Sequence, residues 1–251
     1  MIADPWFWLV ATIAVLLTGI SKGGFGGGVG GFGVPIMALV IAPPQAAAIM
    51  LPILCVMDLT GFQAYWRKWD KRVMKVIIPA GLLGTLAGTL TFSRLNNDWI
   101  RVLLGLIALG FLAYNLMKKP GVERKQLSDA HGWFWASISG FTSFVAHAGG
   151  PPLSVYLLVQ RLDKTAFVAT SLIFFGSMNY AKLVPYWWLD LFDSRNLLTS
   201  LALIPLGIAG TRLGVWLHTR INPTLFFRIV YLAFFLTGTK LLWDGVRGLL
   251  S

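Results

Sequence analysis

Charge is what this chain lacks most. Asp, Glu, Lys and Arg make up only 12% of its 251 residues, about half the share of a soluble domain. That leaves too little wettable surface for a soluble enzyme, and so apolar a chain is not intrinsically disordered either. Acidic residues are the scarcer sign, 10 against 21 Lys plus Arg, for a net charge of +11. In a soluble protein that balance would point to nucleic acid. Here it points to the bias of Lys and Arg toward cytoplasmic loops and to an anionic cargo, so no nucleic-acid partner is expected. A single cysteine, Cys55, excludes a disulfide framework and a cysteine metal cluster. No cation precedes Lys22, so the first apolar segment lacks a basic n-region and is expected to remain in the mature protein. Long polar stretches are also missing: the longest, 118–132, lies almost at the midpoint and is too short for a domain.

What fills the chain is apolar: 56% of residues are hydrophobic, with 27 Gly, 17 Phe and 11 Trp, and the mean hydropathy is +0.70. About 20 apolar residues cross a bilayer as a helix, so this length allows roughly eight such elements. Continuous candidates are 44–64, 73–92, 100–117, 165–187, 197–217 and 225–246. Two more, 5–43 and 133–160, are apolar but interrupted, the first by the run from Gly23 to Pro35 and the second by Ala148-Gly149-Gly150-Pro151-Pro152. Each half therefore reads as one broken element followed by three intact helices.

The halves also match residue by residue. Pro79-Ala80-Gly81-Leu82-Leu83-Gly84-Thr85-Leu86-Ala87-Gly88 and Pro205-Leu206-Gly207-Ile208-Ala209-Gly210-Thr211-Arg212-Leu213-Gly214 share the pattern P-x-G-x-x-G-T-x-x-G. Arg94 and Asn96 recur in the same register as Arg220 and Asn222. This is internal duplication, with repeat one at 1–117, a cytoplasmic linker at 118–132 and repeat two at 133–251. The cations Arg67, Lys68, Lys71 and Arg72 mark one cytoplasmic loop, and Lys118, Lys119, Arg124 and Lys125 another. If each broken element returns to its starting face, each repeat crosses an odd number of times and the two are inverted. The expected fold is an all-α polytopic membrane protein of two pseudo-symmetric, inverted repeats.

Broken backbone at membrane depth survives only beside protein or a wet cavity, because lipid cannot satisfy its N–H and C=O groups. Matching breaks in duplicated halves point to the binding site of a secondary transporter. Half-helix N–H groups there favour an anion, and glycines let it approach the backbone. The candidate substrate-binding residues are therefore Ser21, Lys22, Gly23, Gly24, Gly26 and Gly27 at the first break. Thr142, Ser143, His147, Gly149 and Gly150 are their counterparts at the second. The other reading of the glycines is tight helix packing, favoured for Gly84, Gly88, Gly210 and Gly214. A G-x-G-x-x-G match starting at Gly26 follows no strand, so it is not a dinucleotide site.

Lys182 lies inside 165–187 with Asn179 and Tyr186 on its helical face, and Lys182 and Asn179 join the candidate substrate-binding residues. A lysine at membrane depth costs about 2.5–3.5 kcal/mol on insertion scales, so it is expected to meet a polar cavity or a carboxylate. Asp58, near the Asn179 level of the matching helix, is the candidate carboxylate partner. Asp58 and His147 are the candidates for carrying a coupling proton. Arg212, where Leu86 stands in the first motif, either contacts the anion or snorkels to the interface.

The glycine-rich break ending in Pro35, the Gly149-Gly150-Pro151-Pro152 break and the paired P-x-G-x-x-G-T-x-x-G motifs resemble the TauE/SafE sulfite-exporter family over nearly the whole chain. The resemblance implies two duplicated halves in a bacterial inner membrane and transport of a small sulfur-containing anion, sulfite or an organosulfonate such as sulfoacetate. An anion channel of the same fold is the alternative. Neither cofactor nor metal is implied, an enzyme is not expected, and the partners are the anion and the lipid bilayer, with a homodimer left open.

Overall fold

The computed structural model describes residues 2, 4–26, 31, 33–117, 127–218, 220 and 223–250. Among them are ten helices and no strand: α1 (Pro5–Phe25), α2 (Gly33–Met37), α3 (Pro43–Ala64), α4 (Lys71–Phe92), α5 (Asn97–Leu116), α6 (Asp129–Ala146), α7 (Gly150–Leu157), α8 (Lys164–Trp188), α9 (Ser194–Leu217) and α10 (Pro223–Leu250). The eight elements expected from the sequence become ten because each broken element is two helices. α1, α3, α4, α8 and α9 are long and apolar enough to cross a membrane, each about 30 Å or more at 1.5 Å per residue.

Local chemistry sets the ends. Asp4, Asp70, Asp163 and Asp193 cap α1, α4, α8 and α9 by accepting N–H bonds from the first turn, where a carboxylate also meets the positive end of the helix dipole. The two breaks begin alike. α1 ends at Gly26 with φ 72° and α6 at His147 with φ 52°, both left-handed. Glycine adopts that conformation freely; histidine does so at a cost.

Close approaches fix the helix directions. Gly19, Gly23 and Gly24 of α1 lie against Gly207, Gly210, Thr211 and Gly214 of α9 in increasing order, so these helices run parallel. Ser200 Oγ donates to Ile49 O, and Gln45 bonds Asn196, which aligns α3 with α9. Gly81, Gly84 and Gly88 of α4 meet α6 at Gly140, Ser137 and Phe144, and Gly81 also faces Phe174 and Met178 of α8. α3 and α8 run antiparallel: Cys55 meets Tyr180, Asp58 meets Asn179, and Gly61 meets Leu172. So α1, α3 and α9 point one way, and α4, α6 and α8 the other. Because α1 and α3 are parallel, α2 and its flanks bring the chain back to the face where α1 began.

The glycine seams explain the packing. A Cβ on Gly23 would collide with Thr211 O, one on Gly84 with Ser137 O and one on Gly140 with Gly81 O. These backbones touch, which only glycine permits. The outward faces carry Leu82, Leu83, Leu86, Leu90, Leu198, Leu201 and Val184, all exposed. In water such a coat would aggregate; against acyl chains it is matched.

Candidate functional site

The buried Lys and Asp residues among the described ones, Lys22, Asp58 and Lys182, gather where the two breaks meet the antiparallel α3–α8 pair. Lys22, on the last turns of α1, is buried and places Nζ 2.7 Å from Asp58 Oδ1. The other oxygen of Asp58 accepts from Asn179 Nδ2 at 2.7 Å. One carboxylate thus ties α1, α3 and α8 together. Asp58 does not pair with Lys182, as the sequence had led us to expect. α1 delivers Lys22 to the same level, and the lysine four residues from the end of a broken helix reaches the carboxylate first.

Lys182 is completely buried and pairs with no carboxylate among the described residues. Its Nζ donates to Ser143 O at 2.9 Å and Ser143 Oγ at 3.1 Å, and lies 2.8 Å from His147 Nδ1. His147 Nε2 is 3.0 Å from Ala47 O. A carbonyl only accepts, so Nε2 carries the hydrogen and Nδ1 is the lone pair that receives Lys182. All three acceptors of Lys182 are neutral. An ammonium there is a buried charge with hydrogen bonds but no counter-ion, the arrangement that an incoming anion would complete.

A cavity of about 20 Å³ lies between these groups, room for about one water molecule. Lys22, Ser143, His147, Gly150 and Asn179 line it, together with Thr18, Leu54 and Phe175. At its edge α7 begins. Pro151 and Pro152 have no N–H, and Leu153 N donates to Gly149 O. Gly150 is therefore the backbone donor that the first turn of α7 leaves for the cavity.

The remaining sequence candidates fall elsewhere. Gly23 and Gly24 sit in the α1–α9 seam, and their carbonyls accept from Tyr65 Oη and His218 Nδ1, both at 2.7 Å. Packing, not anion contact, requires these two glycines. Gly26 caps α1 through its N–H to Ser21 O. Ser21 is fully buried with its hydroxyl unpartnered. Thr142 bonds back to Ile138 O and Ser139 O, and Gly149 O accepts from Ser139 Oγ at 2.6 Å. Arg212 is exposed on the outer face of α9, away from the cavity. Gly27 lies outside the described residues. Sequence reasoning missed Thr18, whose position one helical turn before Lys22 on the same face was the available signal. It had no way to find Leu54 and Phe175.

Lipid-length helices, two of them broken around buried lysines and a carboxylate, define a polytopic membrane protein of the transporter class. The chain belongs to the family described as sulfite exporter TauE/SafE, whose sequence model matches residues 11–241. It is accordingly a multi-pass membrane transporter. No curated protein and no solved structure matches it.

Proposed function

We propose that the protein is a secondary transporter that moves a small sulfur-containing anion, sulfite or an organosulfonate such as sulfoacetate, across the bacterial inner membrane by alternating access. The observation that carries this reading is Lys182, buried and bonded to neutral Ser143 and His147, which line a cavity together with Lys22 and Gly150. A mobile anion supplies the charge that the protein withholds. The family's sulfite-exporter description supports sulfur oxyanions as the cargo. Asp58 is the group to take up a coupling proton, because an anion that draws Lys22 away frees the carboxylate oxygen that Lys22 now occupies. His147 Nδ1 is the second candidate, since it is a base only when Lys182 turns away.

The two repeats, 1–117 and 133–251, are the rocking units. Their inversion is supported by the opposed directions of α1, α3, α9 and of α6, α8, α4. The C-terminal end of α3 faces the cytoplasm on this reading, since Arg67, Lys68, Lys71 and Arg72 follow it and Arg161 and Lys164 adjoin the start of the antiparallel α8.

The test is counterflow in proteoliposomes loaded with sulfite, sulfoacetate or taurine, with and without a pH gradient, beside a Lys182→Ala variant. Saturable counterflow that the variant loses is the expected result. Flux without counterflow would make the protein a channel. No flux of any sulfur anion would reject the substrate.

A further inference from the structure

Two tyrosines stand in identical relation to the two breaks. Tyr65, at the end of α3, donates its hydroxyl to Gly23 O at 2.7 Å. Tyr186, near the end of α8, donates to Phe144 O at 2.6 Å. Each donor lies 42 residues after its acceptor. The second pair sits 121 positions after the first, the same spacing that relates Asp58 to Asn179 and the left-handed caps Gly26 and His147. The acceptors belong to the last turn of α1 and of α6, where helix carbonyls lack intrahelical partners.

Position gives the pair its meaning. Tyr65 follows Asp58 by seven residues and Tyr186 follows Asn179 by seven, about 10 Å along each helix. α3 and α8 run in opposite directions and cross at the Asp58–Asn179 bond, so the tyrosines lie on opposite sides of the cavity. The surroundings differ. At the Tyr65 end the tyrosine ring meets His218 edge-on, His218 Nδ1 bonds Gly24 O, and Lys164 Nζ donates to His218 O. At the Tyr186 end the closure is aromatic: Phe144 packs edge-on against both Tyr186 and Phe92, and Phe192 abuts Tyr186.

We propose that Tyr65 and Tyr186 are the two gates of the carrier, each pinning the last turn of a broken helix at one end of the cavity, so that release of either hydroxyl opens the cavity to that face alone. The inference rests on the alternating-access reading, but its test does not require the substrate to be known. The conformation described here has both latches made, which makes it an occluded state.

The test places a reporter thiol in the cavity, Thr18→Cys on a Cys55→Ala background, and measures its labelling by a membrane-impermeant thiol reagent. Reagent is added to right-side-out or inside-out vesicles. Tyr→Phe removes one oxygen atom and keeps the ring in its packing. Loss of one neutral hydrogen bond shifts a closed–open equilibrium about fivefold. Tyr65→Phe is expected to speed labelling about that much from the Tyr65 side only, and Tyr186→Phe from the other side only. Acceleration from the same side in both variants, from both sides equally, or from neither overturns the proposal. A second measurement needs no gate substitution. In the unmodified protein, amide hydrogen exchange over 20–26 and 142–147 should be faster than around Asp58 and Asn179. Equal protection would mean that the latches do not open, which also refutes them. Sulfur-anion counterflow without sided labelling would reject the gates alone; sided labelling without counterflow would reject only the substrate.

Discussion

The two buried lysines should respond very unequally to the same substitution. Lys22→Met removes one member of an ion pair whose partner, Asp58, stays buried with only Asn179 beside it. Breaking a buried pair from one side costs about 3–5 kcal/mol. Lys182→Met removes an ammonium that has no carboxylate. Ser143 O keeps its bond from His147 N at 3.0 Å, so only Ser143 Oγ and His147 Nδ1 lose a donor, at about 1 kcal/mol each. Replacing a buried charge by a well-packed apolar side chain returns about 1–4 kcal/mol. The net change for Lys182→Met thus lies between a loss of about 1 kcal/mol and a gain of about 2 kcal/mol. At this chain length each kcal/mol moves the melting temperature by about 2–4 °C.

Cys55, the chain's single thiol and buried, makes the assay direct: a fluorogenic thiol dye reports unfolding in detergent as that residue becomes exposed. Lys22→Met is expected to melt about 10 °C lower than the unmodified protein, and Lys182→Met within a few degrees of it. Sulfite at a hundred times its dissociation constant should stabilise the unmodified protein by about 2.7 kcal/mol and leave Lys182→Met unmoved. Equal destabilisation by the two substitutions would mean that Lys182 is compensated after all. An undiminished sulfite shift in Lys182→Met would place the anion elsewhere. Either result refutes the reasoning that assigns this site.

Three further outcomes follow from individual residues. Asp58→Asn keeps the side-chain volume but removes the titrating group, so counterflow of sulfoacetate, which does not itself titrate near neutrality, should lose its dependence on a pH gradient; a retained dependence would move the coupling to His147. Gly84→Ala drives a methyl group into Ser137 O across the α4–α6 seam and should cost about 1–3 kcal/mol. By contrast, Gly110→Ala on α5 meets nothing within 4 Å and should stabilise by up to about 1 kcal/mol, both read as melting shifts. Single cysteines introduced at 69–72 should react with an impermeant reagent only from the cytoplasmic side, and those at 189–196 only from outside; the reverse pattern would invert the orientation.

The helices were legible because apolar runs of bilayer length leave few alternatives. Their ends were less so. The expected 73–92, 165–187 and 197–217 start one to three residues after the observed Lys71, Lys164 and Ser194, because Asp70, Asp163 and Asp193 cap first turns that are polar and carry no hydropathy signal. The breaks were visible as glycine and proline clusters, but not the work of each glycine. Gly23 and Gly24 face Thr211 and Gly214, nearly 190 positions away, and no local pattern encodes that contact. The same limit produced the wrong partner for Asp58. Lys22 and Lys182 lie on different helices, and only the register of α1 against α3 decides which reaches the carboxylate.

The duplication also bears on what the site can carry. Positions that correspond at the 121-residue spacing hold Lys22 and Ser143, Asp58 and Asn179, Gly61 and Lys182, Gly26 and His147. No charge in the site faces its own copy. One half contributes a neutralised ion pair, the other a lone ammonium held by a histidine. With Lys22 and Lys182 protonated and Asp58 ionised, the site holds a single positive charge, which a monoanion such as a simple alkanesulfonate or hydrogen sulfite neutralises without help. A dianion leaves one negative charge over, and burial in a low-dielectric site makes that costly. The nearest place to discharge it is Asp58, already drawn between Lys22 and Asn179 and able to accept one proton as the anion takes over Lys22. On the proposed transport, charge balance ties stoichiometry to the cargo: a monoanion would cross with no proton bound at Asp58, and a dianion with one. Proton flux measured per anion in the same proteoliposomes should be greater by one for sulfoacetate, a dianion at neutral pH, than for a singly charged alkanesulfonate. Equal values would remove Asp58 from the coupling.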